Sequence, residues 1–187
     1  MKETPFLAGP EPPALATRLG HDLGKEKSAA AVLLTLPGAP YVQAGEELGL
    51  DDAGGPGERS RQEKAFAAQT ADPGSLLSHY RFLIRARHNS EALRKGTLTL
   101  LTPASATSAT SATSASTPIL AFLRQAKGET VLVVHNLGDT PVEAGPFAVP
   151  GIPDPFFASP GVTPPTGGAG AWKVKLPAHG SGIWKMR

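Results

Sequence analysis

Ala29-Ala30-Ala31-Val32-Leu33-Leu34-Thr35-Leu36-Pro37-Gly38-Ala39-Pro40-Tyr41-Val42-Gln43 is the stretch on which the fold turns. From Lys25 to Leu34 there is no breaker, and after Ser28 the residues are apolar, so the pattern predicts a largely buried helix that Pro37-Gly38 stops. Tyr41-Val42-Gln43 is short and β-prone, and Gly45-Glu46-Glu47 closes it with a polar turn. Helix, tight turn and strand make an α/β unit with a parallel strand.

Working outward, Asp51 to Lys64 shifts to Asp, Gly, Pro and alternating charges, which predicts an exposed loop. Asp72-Pro73 then supplies an N-cap side chain and a proline at the first helical position. Leu76, Leu77, Tyr80, Leu83 and Ile84 recur at helical spacing, with Ser78, Arg81, Arg85 and His88 elsewhere around the wheel. Beyond Gly96 the period changes to strands: Thr97 to Leu101, Ile119 to Arg124, Thr130 to Asn136, and Ala171 to Leu176, where Trp172, Val174 and Leu176 alternate with Lys173 and Lys175. Ser-Ala-Thr repeats three times from Ser105 to Thr113, too polar to bury surface, and predicts a mobile hairpin loop. Gly145 to Gly170 carries seven prolines and predicts irregular coil with one short strand near Phe147 to Val149.

The expected fold class is α+β: a partial (β/α) barrel segment with two main helices over residues 1–95, then an antiparallel β-sandwich domain over 96–187 with a low-complexity loop at 103–118. The chain of 187 residues is long enough for one core or two small ones. Its net charge of +2 and charged fraction of 18% give no basic stripe for nucleic acid. With no cysteine, disulfide and thiol chemistry are excluded and the redox compartment is left open. Met1-Lys2-Glu3-Thr4-Pro5 has no apolar signal region, and the run Ala29 to Leu36 is too short to cross a bilayer, so no membrane partner is expected.

The first stretch, followed by Gly45-Glu46-Glu47-Leu48-Gly49-Leu50, resembles the seventh helix, eighth strand and next loop of α-amylase-family glycoside hydrolases. Asp72-Pro73-Gly74-Ser75-Leu76-Leu77-Ser78-His79-Tyr80-Arg81-Phe82-Leu83-Ile84-Arg85-Ala86-Arg87 resembles the family's final barrel helix, and Ile119 to Leu137 its β-domain hairpin. The resemblance implies a (β/α)₈ barrel with its active site on the C-terminal face of the strands, of which only the last one or two units are present. It also implies α-glucan or maltooligosaccharide substrates. Retaining members set an aspartate nucleophile and a glutamate acid/base only about 5 to 5.5 Å apart. Both come from strands preceding this segment, so the chain alone is expected to be catalytically incompetent, with the missing N-terminal barrel portion as its expected partner.

A third carboxylate of the family sits in an Asn-His-Asp motif after a Phe-Leu pair. Running that pattern back from Thr35 places Phe6-Leu7 at the strand end and Gly9-Pro10-Glu11 on the motif, leaving Glu11 as the weak catalytic candidate; His21-Asp22 lies too close to Ala29. Gln43-Ala44 replaces an aromatic pair, and an Arg-x-Pro-Met-x-Trp segment is missing between Leu50 and Gln69. Non-catalytic relatives, the heavy chains of amino-acid transporters, also carry Asp-Pro-Gly-Ser-Leu-Leu, so an interaction or carbohydrate-binding module is the alternative reading.

Glu46 and Glu47 could form an acid/base pair, but neighbours on extended chain point to opposite faces and suit a structural loop. Trp172 and Trp184 could stack on sugars, against core packing in the β-domain. His79 and His88 are expected to be solvated, without a metal-ligand companion. The charged run Glu58, Arg59, Arg61, Glu63, Lys64 is expected to be solvated too. No phosphate loop, zinc spacing or Ser-His-Asp order is present, so no cofactor is expected.

Overall fold

A computed structural model of the chain describes residues 4–7, 13–51, 57–102, 107–108, 118–168 and 170–187. The chain forms two compact units, Met1–Arg87 and His88–Arg187.

In the first unit, α1 spans Leu15–Arg18, α2 Leu23–Thr35, α3 Glu58–Thr70 and α4 Leu76–His88. Helix α2 starts at Asp22, whose carboxylate accepts the Gly24 and Lys25 N–H groups at 2.8 and 3.0 Å, satisfying donors that the first turn leaves open. Ala30, Ala31, Leu33 and Leu34 are buried. Leu76, Leu77, Tyr80 and Leu83 of α4 are buried as well. The two helices are also tied by polar contacts. Lys27 Nζ donates to Gly74 O, and His79 Nε2 donates to Lys27 O at 2.9 Å. Arg87 donates to three carbonyls at the end of α2, Leu34 O at 2.8 Å, Leu36 O at 2.9 Å and Gly38 O at 2.6 Å.

Several local expectations need correction. Tyr41-Val42-Gln43 is not a strand; Tyr41 makes a single parallel bridge to Phe6, and its N–H bonds Pro5 O at 2.9 Å. Two parallel positions flanking α2 still describe one β–α–β step. The charged run belongs to a helix, α3, where Arg59 and Glu63 pair at 3.4 Å in an exposed i,i+4 contact. Its Glu, Arg, Gln, Lys and Ala content favours helix without an apolar stripe to announce it. Helix α4 begins at Leu76, not at Pro73. Asp72 Oδ1 closes a turn on Gly74 N at 2.7 Å, and Ser75 Oγ is the cap, accepting Ser78 N–H at 3.1 Å. Ile84 is exposed, and His79 is buried.

The second unit starts with α5, Glu91–Lys95, followed by β1 Thr97–Leu101, β2 Thr107–Ser108, β3 Ile119–Ala126, β4 Glu129–Asn136, β5 Val142–Phe147, β6 Pro153–Ala158, β7 Trp172–Leu176 and β8 Ser181–Met186. Five strands pair in the order β1-β3-β4-β8-β6 and three in the order β2-β5-β7, all antiparallel. One face of each sheet contributes to a common core: Leu123, Leu132, Val134 and Trp184 from the larger, Val142, Ala144, Trp172, Val174 and Leu176 from the smaller. Burying each tryptophan removes about 150–250 Å² from water, worth roughly 4 to 6 kcal/mol gross. The opposite face of the larger sheet is also buried at Phe122, Val131, Val133 and Ile183, and α5 packs on β3 and β4.

Three strands run where sequence patterning predicts none or only an end: β5 covers Val142–Phe147, ahead of the short strand expected near Phe147 to Val149, and β6 and β8 were not expected. β6 lies in the stretch expected to be coil; its prolines 153 and 155 fit because it is the end strand of its sheet, with a register irregularity between Pro155 and Phe157. β8 lacks alternation because it is internal and buried on both faces. Within the low-complexity stretch, Thr107 and Ser108 pair with Glu143 and Val142; residues 103–106 and 109–117, where the mobile loop was expected, lie outside the described residues. Among the described residues no helix is long and apolar enough to cross a membrane.

Candidate functional site

Asp22, Glu26, Glu46, Glu47 and Asp51 lie around the first turn of α2 and the loop that follows Tyr41. There the chain makes a 3₁₀ turn, Glu46–Leu48, bracketed by Gly45 and Gly49. Glu46 and Glu47 therefore sit on a turn, the polar turn expected of Gly45-Glu46-Glu47, and not on extended chain. Glu46 is buried, and its Oε1 accepts the Tyr80 hydroxyl at 2.7 Å; its Oε2 is buried without a hydrogen bond. Glu47 turns back, and its Oε2 accepts the Gly45 N–H at 3.0 Å. Burial pushes the Glu46 carboxyl above the ordinary range, with the Tyr80 hydrogen bond opposing and the Glu47 charge reinforcing the shift. The Tyr80 phenol is raised in turn by burial and by the Glu46 charge.

Glu26, one turn into α2, is only 6% exposed. Burial raises its carboxyl, partly countered by His21 and helped by Asp22. Its Oε2 lies 2.8 Å from where a Cβ on Gly49 would stand, and Gly49 has φ +66°, so glycine is needed there for space and for backbone alike. At the rim, His21 Nε2 meets Asp51 Oδ1 at 3.2 Å, and Thr17 Oγ1 donates to the same oxygen at 3.1 Å. His79 is pulled down to about 4, first by burial and also by the Lys27 charge, against its bond to the Lys27 carbonyl; it is a neutral donor joining two helices and not a solvated side chain. His88 is exposed.

Glu11, with Gly9 and Pro10, lies outside the described residues. Trp172 and Trp184 are 8% and 1% exposed and form part of the β-domain core. Glu46 and Glu47 are thus brought together with Glu26 and Tyr80, while both tryptophans belong to the other unit. Sequence reasoning missed Glu26, Tyr80 as a donor, and Arg87. A signal for Glu26 was present: it falls four, seven and eight residues before Ala30, Leu33 and Leu34, on the apolar face of its helix. Among the described residues no group of three or more His, Cys, Asp or Glu side chains could hold a metal ion.

This architecture, helices α2 and α4 with a parallel step and then two antiparallel sheets, is that of the end of a glycosidase barrel and its trailing β-domain. It superposes on the alpha-amylase from H. orenii with a TM-score of 0.75 at 22% identity, covering 98% of this chain and 40% of that one. The trehalulose synthase MutB from Pseudomonas mesoacidophila MX-45 gives 0.71 at 22% identity, covering 98% and 43%. In sequence, the chain is 32% identical to Alpha-amylase SusG of Bacteroides thetaiotaomicron over 68% of its length and 21% of that protein. It is 28% identical to the Trehalose synthase of Thermus thermophilus over 90% of its length and 20% of that protein. No family model matches. The chain belongs to the α-amylase family of glycoside hydrolases, and the match falls on the C-terminal part of its relatives. It spans about a fifth of the length of the curated relatives it matches. Its fold is a partial (β/α) barrel segment plus an antiparallel β-domain.

Proposed function

We propose that this chain is the C-terminal portion of an α-glucan-active hydrolase or transferase, and that alone it hydrolyses no glycosidic bond. The observation that carries the reading is the parallel Phe6–Tyr41 bridge flanking α2, one β–α–β step of a barrel. Phe6 and Tyr41 are 62% and 57% exposed, as expected of barrel positions awaiting a neighbour. The partner is the upstream barrel portion, which supplies the nucleophile and the acid/base that retaining chemistry holds about 5 to 5.5 Å apart. Four carboxylates here serve other ends: Asp22 caps α2, Glu46 is sealed by Tyr80, Glu47 binds Gly45 N–H and Asp51 holds His21. The alternative, a non-catalytic interaction or carbohydrate-binding module, rests on Gly9-Pro10-Glu11 replacing the family's Asn-His-Asp.

The test is reducing-sugar release from maltoheptaose by the purified chain, alone and co-expressed with an upstream barrel portion of a relative. Alone it should give no turnover above buffer; together the two should co-purify and hydrolyse. Turnover by the chain alone that is lost in Glu46→Gln would overturn the claim of incompetence. A soluble chain that never associates with the barrel portion favours the module reading.

A further inference from the structure

A cleft of about 310 Å³ opens in the first unit between Leu23 and Glu26 of α2, Leu48 and Gly49 of the 3₁₀ turn, and Asp72 and Leu76 at the entry to α4. Its other polar groups are already engaged. Gln69 donates from Nε2 to Leu48 O at 2.9 Å and accepts Leu77 N–H at Oε1 at 3.0 Å. Ser75 Oγ lies 2.8 and 2.7 Å from the Gln69 and Asp72 carbonyls while capping α4. His21 is held by Asp51. The Glu26 carboxylate remains: it is 6% exposed, lines the cleft, and has no hydrogen bond among the described residues. So does one oxygen of Asp72, whose Oδ1 is taken by Gly74 N–H.

The uncommitted capacity of the cleft is therefore acceptor-only and anionic, with leucine walls. The positive ends of α2 and α4 point to the same region, but Asp22 and Ser75 already occupy N–H groups there, so the surplus is two carboxylates. A sugar is a poor match, because its hydroxyls need donors as well as acceptors and no aromatic ring lines the wall. A metal is a poor match, because no set of three ligands converges among the described residues.

We propose that this cleft binds the ammonium or guanidinium group of a cationic ligand, with Glu26 and Asp72 accepting its N–H donors and Leu23, Leu48 and Leu76 covering its aliphatic stem. A cation beside Glu26 relieves the desolvation that raises its carboxyl. The cation is free in solution, or it is a Lys or Arg side chain presented by polypeptide; the chemistry is shared.

The test is a titration of the ¹⁵N-labelled full chain with methylguanidinium and, separately, with maltose. Saturable amide shifts at Glu26, Gly49 and Asp72 are expected with methylguanidinium and none there with maltose, and Glu26→Gln should weaken binding at least tenfold. Asp72→Asn, at an exposed loop position where the amide oxygen keeps the Gly74 contact, should weaken it at least threefold and covers the case in which the Glu26 variant fails to fold. Comparable affinity for free arginine and a blocked Gly-Arg-Gly peptide assigns the site to small cations; tighter peptide binding assigns it to a polypeptide side chain. Absence of shifts at these residues, undiminished affinity in both variants, or a response to maltose in place of methylguanidinium overturns the proposal.

Discussion

Replacing Arg87 by methionine removes a side chain that finishes α2. Its guanidinium donates to Leu34 O, Leu36 O and Gly38 O, which are the carbonyls a helix and its exit turn leave without partners. The bond to Leu34 O is buried and the other two are part-buried. The first carbonyl, once orphaned, costs about 1–3 kcal/mol; the others regain water and cost about 0.5–1 kcal/mol each. Methionine retains the apolar stem, and the change abolishes the desolvation of the guanidinium, which is large enough to lower its proton affinity. The expected net loss is about 3 kcal/mol. Urea unfolding followed by circular dichroism at 222 nm reads it, because α1 to α3 and α4 up to Arg87 lie in the first unit and only the short α5 in the second. With a slope near 1–1.5 kcal/mol per molar urea, the helical midpoint should fall by about 2–3 M. Arg87→Lys should fall in between, since one ammonium cannot span three carbonyls at this geometry. A methionine variant within about 0.5 kcal/mol of the parent would refute the capping argument.

Two further outcomes are expected from the β-domain and from pH. A Cβ on Gly182 would lie 2.0 Å from Trp184 Cη2, so Gly182→Ala must displace the indole; a loss of about 1–3 kcal/mol and a red-shifted tryptophan emission should follow, and unchanged emission would sink the idea. His135 is fully buried beside Ser181 Oγ at 2.9 Å and is pulled by burial to about 3. Its neutral form therefore contributes stability above the unfolded value of 6.5, lost as pH falls. Glu129 acts in the same direction: despite burial, the Ala92 N–H and Lys185 hold its carboxyl low, so its contribution too is lost in acid. Tryptophan-monitored stability should fall between pH 7.5 and 5. The helical signal should fall less, because raised Glu26 and Glu46 contribute stability at low pH that is lost as pH rises, opposing His79. Flat tryptophan-monitored stability over that range would count against the buried neutral histidine.

Amphipathic parts of this fold were legible in the sequence because one face is wet. β7 alternates Trp172, Val174 and Leu176 with exposed Lys173 and Lys175, and α4 carries its stripe from Leu76 to Leu83. The doubly buried β4 was legible through its β-branched run Val131, Val133 and Val134, whereas β8, equally dry, opens on Ser181-Gly182 and was not; nor was β6, where position in a sheet, invisible in sequence, licenses prolines. The pattern fails again where local chemistry offers two caps three residues apart, and Ser75 wins over Asp72. Candidate site residues were misread for a related reason. Glutamate and histidine are assigned to solvent by type, yet Glu26, Glu46 and His79 are all buried, each through a partner or neighbour more than 20 residues away that only folding brings close.

The end strands of the larger sheet differ in one respect that sets how copies of this chain can meet. β6 carries prolines 153 and 155, which lack the N–H needed to extend a ladder. β1, Thr97–Leu101, has no proline and presents Leu100 to solvent. A sheet with one pairable edge and one blunted edge can extend through those edges only by joining like to like, which closes on itself at two copies. Growth through the edges of this sheet needs two complementary strands, and the prolines of β6 deny the second.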